Sequence, residues 1–142
     1  MQHDTYSDEY LRDILRSVKT IAVVGASPKP IRPSFGVMTF LLARGYRVIP
    51  VNPGIAGREI QGQMTYARLA DIGEAIDMVD VFRASSALPG VVDEVLALQP
   101  LPKVIWTQLE VRDDEAAARA EGGGIKVVMD RCPAIEYRRL IG

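Results

Sequence analysis

Three observations in the 142-residue chain predict an α/β fold. Five short apolar-rich runs, at residues 20–24, 46–51, 77–82, 103–107 and 125–129, have the length and composition of buried strands. The segments between most of them carry helical spacing of apolar residues, and a turn at Gly25-Ala26-Ser27 leads the first run straight into such a segment. Strands that alternate with helices are joined by right-handed crossovers and lie parallel. The prediction is therefore a doubly wound parallel sheet of about five strands in a three-layer α/β/α sandwich. It is Rossmann-like, with strand order 3-2-1-4-5 and a ligand crevice at the strands' C-terminal ends, beside the first strand.

The elements follow in order. Residues 1–6 are polar and are expected to fray. Ser7 caps a first helix over residues 7–18, with Asp8 and Glu9 in its first turn and an apolar stripe of Tyr10, Leu11, Ile14, Leu15 and Val18. After the first strand comes a basic loop stiffened by prolines. Ser34 marks the start of a helix to Arg44, and Gly45 is placed to end it. Beyond the second strand, Gly54, Gly57 and Gly62 break any period, so this stretch reads as turns with room for a short edge strand. A short helix is expected over residues 66–72. The third strand leads to a helix over 87–98, the fourth to one over 113–121, and Pro133 opens a closing helix through Leu140. The run of Gly122, Gly123 and Gly124 should fray the helix before it. No repeat or linker divides the chain, so residues 1–142 are expected to form one domain.

Bulk composition narrows the function classes. A formal net charge of −1 lacks the electrostatic footprint of a nucleic-acid binder. One cysteine cannot build a disulfide framework and suits a reducing compartment. The polar N-terminus has no signal-peptide core, and no apolar run reaches the ~20 residues that span a bilayer. The expectation is a soluble, cytoplasmic protein with no membrane and no nucleic acid among its partners.

In a doubly wound sheet, ligand-facing residues follow the strands. Here the five exits read Gly25-Ala26-Ser27, Asn52-Pro53, Phe82-Arg83, Gln108-Leu109 and Asp130-Arg131-Cys132. A strand, a glycine turn and a helix start together point free N–H groups and a positive dipole at one place, which suits an anion. Gly25 either serves such an approach or simply permits the turn. The loop is not a nucleoside-triphosphate loop, because Ser34 follows Pro33 rather than lysine, and it carries one glycine of the three in a dinucleotide fingerprint. Its cations, Lys29 and Arg32, favour phosphate, to which Arg32 can present two donors. The second exit lacks the acid that holds ribose hydroxyls in many NAD sites; Asn52 caps the turn or bonds a nucleoside, and Pro53 shapes the turn. Arg83 stands at the crevice mouth as a phosphate candidate. Phe82 reads as core or ligand platform, Trp106 as core with an indole N–H that needs a partner, and Gln108 as a polar contact for a ligand. Asp130 either caps the final helix or pairs with Arg131.

Catalytic groups are sparse. The single histidine, His3, lies in the terminus expected to fray, and no side chains have metal-ligand spacing. Cys132, before the helix start at Pro133, reads as a buried small side chain or as a thiol activated by the helix dipole. No catalytic set and no metal site is expected.

The motifs Val24-Gly-Ala-Ser27 with Arg32-Pro-Ser34, Gly45-Tyr-Arg-Val-Ile-Pro-Val-Asn-Pro53, Val79-Asp-Val-Phe-Arg83, Trp106 with Gln108-Leu109, and Val127-Val-Met-Asp-Arg-Cys132 occur in order. Together they resemble the small standalone CoA-binding proteins, relatives of the CoA-binding domain of the succinyl-CoA synthetase alpha subunit. The resemblance covers nearly the whole chain from residue 7 onward. It implies that coenzyme A is bound, with Gly25, Ala26 and Ser27 at the phosphates and Arg32 and Ser34 nearby. Asn52 and Pro53 would flank the nucleotide, Phe82 and Arg83 would line the adenine or pantetheine side, and Gln108 would meet the pantetheine. The chain departs from its relatives at Glu110, where they usually carry glycine; a carboxylate there narrows the crevice and would repel phosphates. It also lacks the phosphohistidine of the synthetases. The leading reading is a non-catalytic CoA- or acyl-CoA-binding protein whose partner is a small-molecule ligand, with a homodimer also considered. The alternatives are an NAD(P)-dependent oxidoreductase and an accessory subunit of an acyl-CoA ligase.

Overall fold

A computed structural model describes residues 1–142. Ser7 caps α1 (Asp8–Ser17) by accepting from the Tyr10 N–H at 3.1 Å, as the sequence predicts. Then come β1 (Thr20–Val24), α2 (Pro33–Ala43), β2 (Arg47–Val51), a hairpin of β3 (Glu59–Ile60) and β4 (Gln63–Met64), and β5 (Met78–Val81). The chain closes with α3 (Leu88–Leu96), β6 (Val104–Thr107), α4 (Asp114–Gly122), β7 (Lys126–Val128) and α5 (Pro133–Leu140). Single-turn 3-10 helices stand at Pro53–Ile55, Leu69–Asp71 and Ser85–Ala87.

The five long strands form one parallel sheet in the order β2-β1-β5-β6-β7. Counted among themselves this is 2-1-3-4-5, and it corrects the expected 3-2-1-4-5. The position outside β2, where a third strand was expected, holds only a single parallel bridge from Val51 to Tyr66. The turn-forming residues after β2 spend their backbone bonds in the hairpin and its flanks, where Gly57 N–H donates to Thr65 and Thr65 N–H to Arg58. The third long strand then crosses to the other side of β1 and pairs Ile21 with Met78 through Val24 with Val81.

Alternate strand residues feed two cores, which places the helices in two layers. Ile21, Val23, Val48, Met78, Trp106 and Val128 face α1, α2 and α5. Ala22, Val24, Val51, Val79, Ile105 and Val127 face α3 and α4. This is the Rossmann-like three-layer arrangement. Trp106 is fully buried and its indole N–H donates to the Arg131 carbonyl at 3.0 Å, so the β7 exit is tied to β6. Asp80 faces the first core between Val23 and Trp106, with no exposure and no partner for either carboxylate oxygen. Burial, which penalises the charged form, pushes its carboxyl well above the usual carboxylate range.

Three local expectations change. α2 begins at Pro33 with Arg32 as its cap, because proline's fixed φ suits the first helical position, and Ser34 falls inside the first turn. α4 persists through Gly122 before Gly124 takes a positive φ of 93°, so the glycine run ends the helix rather than fraying it earlier. The N-terminal segment is seated, not frayed. His3 is 4% exposed; Met129 N–H donates to the Tyr6 hydroxyl at 2.9 Å, and the His3 ring bonds Tyr6 at 2.6 Å and Glu121 at 3.0 Å.

Candidate functional site

The crevice opens at the C-terminal ends of β1, β5 and β6. Gly25 leaves β1 with φ +85°, and its N–H donates to the Val51 carbonyl, so the turn is locked to the end of β2. A β-carbon on Gly25 would lie 2.7 Å from the Phe82 carbonyl oxygen and 3.1 Å from Arg83 Cγ. Both readings of this glycine therefore have a physical basis: the positive φ serves the turn, and the missing side chain lets two strand exits meet.

The cavity beside it measures about 580 Å³ and is lined by Gly25, Ala26 and Ser27, by Arg32 and Ser34, by Asn52, and by Phe82, Arg83 and Gln108. A second chamber of about 440 Å³ lies on the β2 side, sharing Gly25, Asn52 and Arg83 and adding Pro53, Arg68 and Glu94. Ten of the eleven residues singled out in the sequence line one or both chambers. Lys29 lines neither; its N–H donates to Ser27 Oγ at 3.1 Å, and it stands outside on the exposed loop.

The hydrogen bonds sort the candidates further. Gly25 and Ala26 both give their amides to the Val51 carbonyl, leaving Ser27 as the first loop amide without an intramolecular acceptor. Ser34 is buried against the crevice at the start of α2, where helix amides lack partners within the helix. Asn52 is already spent: its amide donates to the Ala26 carbonyl and its oxygen accepts from Gly54, so it clamps two exits together. Lys29, Arg32 and Arg83 form no ion pair, although Arg47, Arg68, Arg112, Arg119, Arg131 and Arg139 all do. Phe82 is partly buried, packed on the first core while also lining the cavity.

The opposite wall is legible in the sequence in part, at Gln108, Leu109 and Glu110, while Val111, Ala84 and Ser85 are missed. Leu109, Glu110 and Val111 complete the lining beyond Gln108, joined by Ala84 and Ser85 from the β5 exit. Glu110 takes φ +71°, and its N–H donates to Asp130 Oδ1 at 2.6 Å. Asp130 therefore braces this wall and lies 3.9 Å from Arg131, while the α5 cap position falls to Cys132, whose side chain makes no capping bond. Gln108 Oε1 is buried and has no partner. Cys132 is buried in the first core. No group of three or more His, Cys, Asp or Glu side chains is gathered where a metal ion could sit, and no helix is long and apolar enough to cross a membrane.

A parallel doubly wound sheet with a cation-lined crevice at its strand exits defines a Rossmann-like α/β protein. The chain belongs to the CoA binding domain family, whose model matches residues 19–138. It is 39% identical over 127 residues to YneT of Bacillus subtilis, spanning 89% of this chain and 91% of that one. A solved structure from Thermus thermophilus is 44% identical with a TM-score of 0.89, covering 95% of this chain and 99% of that one. A dinucleotide-forming acetyl-coenzyme A synthetase of Ca. Korarchaeum cryptofilum is 26% identical with a TM-score of 0.64; the match covers 77% of this chain and 25% of the synthetase.

Proposed function

We propose that the crevice holds coenzyme A or an acyl-CoA, and that the chain binds this ligand without transforming it. The observation that carries the reading is the pair Arg32 and Arg83. Both line the cavity, neither has a carboxylate partner, and they stand with the free Ser27 amide and the start of α2. Charge left unpaired around unused amides suits phosphate groups. The β2-side chamber, with Pro53 and Arg68, would take the nucleoside. The larger cavity, toward Gln108, would take the pantetheine arm, whose amide N–H groups match an acceptor that lacks a donor. Membership of the CoA binding domain family supports the same assignment.

Calorimetric titration with CoA and, separately, with NADP tests the reading. Saturable CoA binding that weakens with added salt is expected. Tight NADP binding with no response to CoA would overturn it. Turnover of an acyl-CoA by the purified chain would overturn the non-catalytic part alone.

A further inference from the structure

The two walls of the larger cavity carry opposite character. Arg32 and Arg83 supply cations on the β1 and β5 side, whereas the β6 side presents the unpartnered Gln108 oxygen and the Glu110 carboxylate. With β5 between β1 and β6, the Gly25 loop and the Gln108–Val111 loop stand about two strand spacings, or roughly 10 Å, apart. Glu110 is held at its place. Its N–H bonds Asp130, its carbonyl accepts from Ser85 Oγ at 3.4 Å, and Val111 N–H returns to the Gln108 carbonyl at 3.0 Å. Its φ of +71° is one that glycine adopts freely and a side chain does not, so the position carries a carboxylate at a backbone cost.

We infer that Glu110 is a charge filter for the acyl end of the ligand: it selects free CoA and neutral acyl thioesters, and it rejects thioesters that end in a second carboxylate. This rests on the reading of the crevice as a CoA site. Phosphates held at the Ser27 and Arg32 wall lie about one Debye length from Glu110 at physiological salt, so their repulsion is largely screened. A terminal carboxylate carried to the β6 wall meets Glu110 at near contact, where screening is weaker than across the cavity. Thiol, acetyl and other uncharged ends carry no such penalty, and the pantetheine amides can donate to Gln108.

The experiment is equilibrium titration of the full chain with CoA, acetyl-CoA and succinyl-CoA, repeated for E110Q and E110D. The native chain should favour acetyl-CoA over succinyl-CoA by about three- to tenfold at low salt, with the ratio shrinking as salt is added. E110Q should bring the ratio close to one, and E110D, which keeps the charge, should retain most of it. CoA binding with an acetyl-to-succinyl ratio that is the same in native and E110Q protein would overturn the filter and leave the CoA reading standing. E110D losing the preference while E110Q keeps it would overturn it too, since side-chain length and not charge would then decide. Failure of all three ligands to bind would overturn the CoA reading, and the filter with it.

Discussion

Gly25 and Phe82 meet so closely that a β-carbon on the glycine would lie 2.7 Å from the phenylalanine's carbonyl oxygen. Phe82 cannot retreat, because its own N–H donates to the Val24 carbonyl at 2.8 Å, one residue before Gly25. The two exits are thus built on each other. Gly25→Ala should therefore pay twice, for the left-handed backbone and for the overlap, a loss of about 2–4 kcal/mol. Chemical denaturation of native and variant protein measures it. An unshifted midpoint would show that the β5 exit yields readily.

Arg32 and Arg83 form no ion pair, so removing either breaks no structural contact of that kind. Arg32→Gln and Arg83→Gln should leave the unfolding midpoint nearly unchanged. Each should weaken CoA binding about tenfold, as expected for one lost charge-assisted hydrogen bond. The slope of affinity against salt should flatten in both. A melting temperature that falls with no change in affinity would assign these side chains to the fold.

Two acids of the third long strand region pull stability in opposite directions with pH. Asp77 pays a desolvation cost, but bonds from the Lys19 and Thr20 amides at 2.8 and 3.0 Å, with Lys103 nearby, outweigh it and hold its carboxyl below the usual range. Its folded value is depressed, so its contribution is present above the unfolded value and is lost as pH falls through the folded one. Asp80 is the reverse: desolvation raises it and nothing compensates. The unfolded chain ionises this group from its ordinary value of 3.8 upward while burial in the fold holds its ionisation back. Each pH unit above that value therefore costs about 1.4 kcal/mol until the folded carboxyl ionises as well. Asp80→Asn should remove this slope, so the variant gains on the native chain as pH rises above about 4. Asp77→Asn should be less stable than the native chain by a constant amount across that range, and the gap should close only as pH falls below about 4. Urea melts across the pH series check both, and parallel curves for the native chain and Asp80→Asn would show that Asp80 is not held neutral.

The first strand, its glycine turn and the closing helix were legible because each rests on local chemistry: an apolar run, a positive-φ glycine, and a proline at a helix start. Strand order was not, since no local residue says on which side of β1 the third long strand pairs; that depended on the hairpin absorbing the segment after β2. The cavity-lining residues legible in sequence were those beside the recognisable loop and strand exits. Ser85 and Arg68 were not read as lining, whereas Glu110 was read as narrowing the crevice and does line it. Ser85 and Glu110 are joined through bonds to each other and to Arg112 and Asp130, contacts that only the folded sheet creates. Glu110 takes a positive φ of 71°, a backbone conformation that glycine adopts freely, which fits the expectation of a glycine there drawn from the family resemblance. The helix expected to start at Ser34 begins one residue earlier, because Pro33 suits the first helical position.

His3 is the clearest case of a residue whose setting lies far away in sequence, and it yields a prediction. The Tyr6 hydroxyl accepts from Met129 N–H and bonds His3 Nδ1, and His3 Nε2 bonds the Glu121 carboxylate on α4. Arg131 lies over the Tyr6 ring at 5.0 Å and donates to the Asp4 carbonyl, while Arg112 pairs with Asp4 at 3.0 Å. The first six residues therefore bind the last strand, its exit and the end of α4 to one another. Removing residues 1–6 leaves the Met129 amide without its acceptor and exposes core under α1. The expected cost is about 1–3 kcal/mol, with faster hydrogen exchange at Met129 than at β1 amides on the far side of β5. His3→Ala should reproduce part of the loss while sparing the Met129 amide, because Tyr6 still covers it. If truncation leaves both the unfolding free energy and Met129 exchange unchanged, the segment is an ornament on the fold rather than a strap across it.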